Sequence, residues 1–133
     1  MSFLNTYLIR KSIFLLAAAT LSVSAVAIDF NQTLRLANQG HAKSQYELGR
    51  AYKQGEGVRQ DYAKAAELYL KAANTNYADF SSTKALAQFN LGILHINGYS
   101  VRQSKITAKE WFGKSCDNGY QNGCDEYRKL NQK

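Results

Sequence analysis

Among its 133 residues the chain has only two histidines, His41 and His95, and two cysteines, Cys116 and Cys124. Neither histidine has a second His, a Cys or a carboxylate at ligand spacing, which argues against a metal site and leaves no cofactor to expect. Basic runs are also missing. The 17 Lys and Arg against 10 Asp and Glu give a formal charge of +7, but the cations are scattered: Arg35, Lys43, Arg50, Lys53, Arg59, Lys71, Lys84, Arg102 and Lys114. Nucleic-acid binding needs a concentrated basic stripe with stacking aromatics, so no nucleic-acid partner is expected. Finally, the strongly apolar part of the one long hydrophobic run, Ile13 to Ala27, is shorter than the roughly 20 residues of a membrane-spanning helix.

That run has other features of an export signal. Arg10 and Lys11 precede it, it holds no charge and no proline, and it ends in Ala25-Val26-Ala27, a small-x-small cleavage pattern. We therefore expect residues 1–27 to be a secretory signal peptide and 28–133 a single small domain, periplasmic or secreted, with no stable membrane insertion after cleavage. No Cys lies near the junction to carry a lipid. Cleavage would remove Arg10 and Lys11 and lower the charge to +5. In an oxidising compartment Cys116 and Cys124 are expected to form one disulfide.

The rest of the chain repeats itself. Gln45-Tyr46-Glu47-Leu48-Gly49 corresponds to Gln88-Phe89-Asn90-Leu91-Gly92 at an offset of 43, as does Gly55-Glu56-Gly57-Val58-Arg59-Gln60 to Gly98-Tyr99-Ser100-Val101-Arg102-Gln103. Ala42, Tyr46, Gly49 and Tyr52 share a helical face that ends at Gly55 and Gly57. Asp61 is an N-cap for a second helix, Tyr62 to Asn74, with Ala65, Leu68, Tyr69, Ala72 and Ala73 on one apolar face; Ser104 takes the same place in the second copy. The unit is a helical hairpin. Arg35 to Gly40 matches the end of a preceding second helix at an offset of 36, so the second copy carries seven extra residues, Ala78 to Lys84, expected to lengthen a loop or a helix start. Gln121 to Leu130 matches a third first-helix without its partner, a C-terminal cap in which Arg128 stands for Gly49 and Gly92, and Asp125 for Tyr46 and Phe89. A mid-helix Gly costs about 1 kcal/mol, so Gly49 and Gly92 are expected where a neighbouring backbone comes close.

The order carried by Ala42, Gln45, Tyr46, Leu48, Gly49, Tyr52, Gly55, Gly57, Val58, Asp61, Lys64, Ala65, Tyr69, Ala72 and Ala73 resembles the Sel-1-like repeat, a relative of the tetratricopeptide repeat. The second copy departs from it at His95, Ser100, Ser104 and Thr107. The resemblance implies an all-α fold: a short α-solenoid of antiparallel helical hairpins, about six helices in two full repeats and two terminal half repeats. The Cys116-x7-Cys124 spacing is similar to the bridge of cysteine-rich secreted members, some of them described as penicillin-binding proteins or beta-lactamases; here one pair stands where that branch repeats it. Such a bridge would staple the cap, for roughly 2 to 3 kcal/mol.

Chemistry is hard to find. Ser81-x-x-Lys84 lacks the Ser-Asp-Asn and Lys-Thr-Gly elements of a serine beta-lactamase, so Ser81 and Ser82 read better as N-caps. Gly55-Glu56-Gly57 follows no strand and is no phosphate loop. His95 reads as a packed or rim histidine, and the aromatics Tyr46, Tyr52, Tyr62, Tyr69, Phe89, Trp111 and Phe112 mainly as packing. No catalytic residue is assigned. The expected function is a monomeric scaffold that binds another protein in a bacterial envelope, as adaptor or neutralising partner; the alternative is a beta-lactamase or penicillin-binding hydrolase. The groove residues expected to be left free by packing are Arg50, Lys53, Gln54, Asn90, Ile93 and Ile96, with the two isoleucines offering apolar surface where Arg50 and Lys53 stand in the first copy.

Overall fold

The computed structural model describes residues 30–76 and 81–132. Residues 1–32 and 33–133 separate into two compact units. Of the first only 30–32 are described, as helix; the expected signal peptide lies outside the described residues. All regular structure among the described residues is helical: α1 over 30–38, α2 Ala42–Gln54, α3 Tyr62–Ala73, α4 Ser81–Asn97, α5 Lys105–Asp117 and α6 Gln121–Asn131. The hairpins are α2/α3 and α4/α5, with α1 and α6 as half units. Consecutive helices pack on one another from α2 to α6, and the first helices of the units, α2, α4 and α6, also touch in succession.

The repeated residues account for the helix ends. Both hairpin turns begin at a glycine in the left-handed region, Gly55 (φ 72°) and Gly98 (φ 69°), which lets the next amide reach back: Glu56 N–H donates to Ala51 O and Tyr99 N–H to Leu94 O, each at 3.0 Å. The turn then closes identically in each copy. Asp61 N–H donates to Tyr52 O and Ser104 N–H to His95 O, while the side chains of Gln60 and Gln103 donate to Lys53 O (2.8 Å) and Ile96 O (2.9 Å). Asp61 and Ser104 cap α3 and α5 as expected, accepting from Lys64 N–H and Thr107 N–H.

The seven-residue insertion enters the helix in part. Ser81 to Lys84 are helical, so α4 has 17 residues against 13 in α2. Ser81 and Ser82 therefore lie within the first turn of α4, which replaces the expectation that they cap it. The remainder of the insertion, 78–80, lies outside the described residues.

The core follows from apolar faces meeting between hairpins. Ala65, Tyr69, Ala72 and Ala73 of α3 pack with Ala87, Leu91 and Leu94 of α4, flanked by Tyr46, Tyr52, Tyr62, Val101 and Trp111. Gly49 and Gly92 are needed at close approach, but to a ring rather than a backbone: a Cβ on Gly49 would stand 2.9 Å from the Tyr69 ring, and one on Gly92 2.5 Å from Phe112. Each ring belongs to the unit's own second helix. At the corresponding place in α6, Arg128 pairs with Asp125 on the surface at 2.6 Å. The disulfide joins Cys116 in the last turn of α5 to Cys124 in α6, with Cα atoms 4.5 Å apart.

Candidate functional site

All six expected groove residues lie on α2 and α4, and they fall into three kinds. Arg50 and Gln54 are exposed on α2. The Arg50 guanidinium lies 3.4 Å from Glu47 and 4.0 Å from Glu56, pairs exposed enough to contribute well under about 1 kcal/mol each. Two acidic partners thus accompany the cation, which the repeat alignment alone did not bring together.

Lys53 and Asn90 are not free, contrary to expectation. Asn90 is buried, and its side chain accepts from Lys53 Nζ at 2.8 Å while donating to Leu86 O at 2.9 Å. The reason is that α2 packs on α4, so positions facing along this line are covered and must satisfy each other. Partial burial lowers the Lys53 pKa below the usual lysine value. The pair is a cross-repeat strut.

Ile93 and Ile96 are half-buried rather than open apolar surface. The large hydrophobic residues that are exposed stand elsewhere: Ile106 (75%), Leu70 (44%), Tyr99 (42%) and Tyr127 (36%). The side chains of Asn97 and Gln103 bond the carbonyls of Ile93 and Ile96. His95 is half-buried, with Nδ1 3.3 Å from Arg102 O, a rim histidine in the turn.

The aromatic residues form two groups. Tyr46 on Tyr69, and Phe89 on Phe112 and Tyr120, are packing pairs with centroids 5.1 to 5.8 Å apart. Tyr69 is fully buried and its Oη has no partner among the described residues; burial pushes its pKa up, as it does for Tyr46. Tyr62 and Tyr99 stack at 4.7 Å and join the turns of the two hairpins. Beside them is an open groove of about 710 Å³ lined by Tyr52, Arg59, Asp61, Tyr62, Lys64 and Ser100, among others, with Lys64 Nζ over the Tyr52 ring. The stack joins residues 37 apart from different sequence positions in the two copies, so copy-to-copy comparison could not reveal it.

The Ser81-x-x-Lys84 pair is accounted for structurally: Lys84 Nζ donates to Thr75 O at 3.2 Å. Among the described residues no group of three or more His, Cys, Asp or Glu could hold a metal ion, and no helix is long and apolar enough to cross a membrane.

Helical hairpins with shared turn geometry, stacked through successive first helices, define an α-solenoid repeat protein. The Sel1 repeat model matches residues 42–77 and 85–120, more than half the chain. The chain belongs to the Sel1 repeat family. A crystal structure of a Sel1 repeat protein from Oxalobacter formigenes superposes with a TM-score of 0.66 and 27% identity, covering 75% of this chain and 38% of that one. The ERAD-associated E3 ubiquitin-protein ligase component HRD3A of Arabidopsis thaliana is 32% identical over 81 residues, 61% of this chain and 11% of its own length. An uncharacterized protein of Haemophilus influenzae is 59% identical over 29 residues, 22% of this chain and 56% of its own. The chain thus spans from about a tenth to just over half of these relatives.

Proposed function

We propose that this chain is an exported scaffold that binds another protein through the α2–α4 surface, acting as an adaptor or neutralising partner in the periplasm or outside the cell. The observation that carries the reading is the division of labour among residues. Those that recur between the copies are spent on turns, caps and packing, whereas Arg50, Gln54, Ile93 and Ile96 differ between copies and lie on α2 and α4, the first helices of the two hairpins. A repeat array that gives its constant residues to folding and varies one face has the layout of a recognition surface. HRD3A, a relative, is described as a component of an E3 ubiquitin-protein ligase. Export is supported by the apolar run before Ala27 and by a Cys116–Cys124 bridge, which suits an oxidising compartment.

A photo-crosslinking side chain placed at Gln54 tests the binding face in cells. Gln54 should yield one dominant adduct in the envelope fraction, while the same probe at Lys71, exposed on α3, should not. Equal adducts from both positions, or none from Gln54, would reject the face. Deleting residues 1–27 should retain the protein in the cytoplasm; unchanged fractionation would reject export.

A further inference from the structure

Among the described residues the cap helix α6 is the one tied to its neighbour by a disulfide. Side chains of α2, α4 and α5 cross between elements by hydrogen bonds: Gln45 to Ala37 O, Lys53 to Asn90, Ser115 to Ala85 O, and, just after α5, Asn118 to Gln88. Among the described residues, no side-chain hydrogen bond or ion pair joins α6 to α4 or α5. The polar contacts of α6 close on itself or on its own N-cap: Gln121 and Arg128 with Asp125, Lys129 with Glu126, Asn122 with Tyr120. Only one of its residues, Gly123, is buried. An 11-residue helix containing a glycine, with no side-chain cap at Tyr120, is marginal by itself. It is held by packing on α5, where Gly123 sits close against Ser115 and Cys116, by the edge of the Tyr127 ring over Gly113 with Lys109 over that same ring, and by the Cys116–Cys124 bond.

The chain just before α6 is anchored independently of the disulfide. Tyr120 N–H donates to Ser115 O at 3.1 Å, and the Tyr120 ring stands edge-on to Phe89 at 5.1 Å. A break in the bond therefore leaves residues up to Tyr120 in place and gives α6 a hinge directly after them. We propose that Cys116–Cys124 is a redox latch: its reduction undocks α6 about this hinge, uncovering Gly113 and Ser115 on α5, while both hairpins stay folded. The reductant is a dithiol. One thiolate attacks a sulfur of the bridge to form a mixed disulfide, the second thiol displaces the remaining cysteine sulfur, and the reductant leaves as a cyclic disulfide. Two electrons and two protons pass to Cys116 and Cys124, which end as thiols. The latch does not rest on the identity of any partner or on the proposed binding face.

Hydrogen–deuterium exchange on the folded chain, oxidised or treated with dithiothreitol, tests it, with the mass gain of two hydrogens verifying reduction. Closing a loop of 8 residues (the separation of the two cysteines) restricts the open state enough that its release should speed exchange in 121–131 by roughly 50-fold in the chain-entropy description. Exchange in α2, α3 and α4 should be unchanged, and reoxidation with glutathione disulfide should restore protection. The Cys116→Ser, Cys124→Ser double variant should show the fast α6 exchange without reductant and no response to it. Unchanged α6 protection after verified reduction would overturn the latch. So would loss of protection across all helices, which would make the bridge a general staple.

Discussion

The buried hydroxyl of Tyr69 tests the packing account most sharply, because the second copy performs the same packing with Phe112. Tyr69 is 0% exposed and Phe112 1%, each ring lies against its unit's mid-helix glycine, and Tyr69 Oη finds no partner among the described residues. Leaving a buried hydroxyl unpaired costs about 1 to 3 kcal/mol, while removing it sacrifices few contacts. Tyr69→Phe should therefore stabilise the domain by about 1 kcal/mol at pH 7, which is about 4 to 8 °C in Tm for a domain of this size. The pH dependence supplies a second readout. Burial raises the folded-state pKa of Tyr69 above its ordinary value of 10.0. Its contribution is thus intact below pH 10 and is lost as the unfolded chain alone ionises above it. Between pH 9 and pH 11 the gap between variant and wild type should widen by about 1.4 kcal/mol. Urea unfolding followed by circular dichroism at the two pH values measures both. Destabilisation by 1 kcal/mol or more at pH 7, or a gap that does not grow, would refute the unpaired hydroxyl.

Other substitutions follow from the same geometry. Gly92→Ala forces a Cβ to 2.5 Å from the Phe112 ring, so it should destabilise by about 1 to 3 kcal/mol despite alanine's better helix propensity; Gly49→Ala, at 2.9 Å, should cost less, by urea midpoints. Ser100 adopts φ 53° where the first copy has Gly57 at 70°, so Ser100→Gly should raise stability by about 0.5 to 1 kcal/mol in thermal unfolding, and a loss would refute strain at this turn. Asn90→Ala strands the half-buried Lys53 ammonium and should cost about 1 to 2 kcal/mol, whereas Gln54→Ala on the exposed side of the same surface should cost under about 0.5.

Much of this fold is legible in the chain. The two caps, Asp61 and Ser104, the helix-ending glycines and the ring-facing positions Tyr69 and Phe112 are local requirements that a repeat restates, so comparing copies isolates them. What differs between copies is less legible. Glu47 and Asn90 occupy one register position, yet only Asn90 meets Lys53, because the meeting depends on how α2 lies along α4. Ile93 and Ile96 look open when helix faces are counted, but both are half-buried in the fold. The extra residues Ser81 to Lys84 could extend a loop or a helix by composition; their place in α4 is set by the neighbouring chain, where Lys84 ties back to Thr75.

The claim that the α2–α4 surface recognises a protein is tested most directly by the affinity of the purified crosslinked partner for surface variants, measured by calorimetry. Arg50→Glu with Gln54→Glu changes only exposed side chains, so folding should be preserved. Recognition there predicts at least about a 10-fold weaker Kd for this variant, or about 1.4 kcal/mol, and unchanged affinity for Lys71→Glu on α3. Unchanged binding by the first variant, with loss in the second, would contradict it.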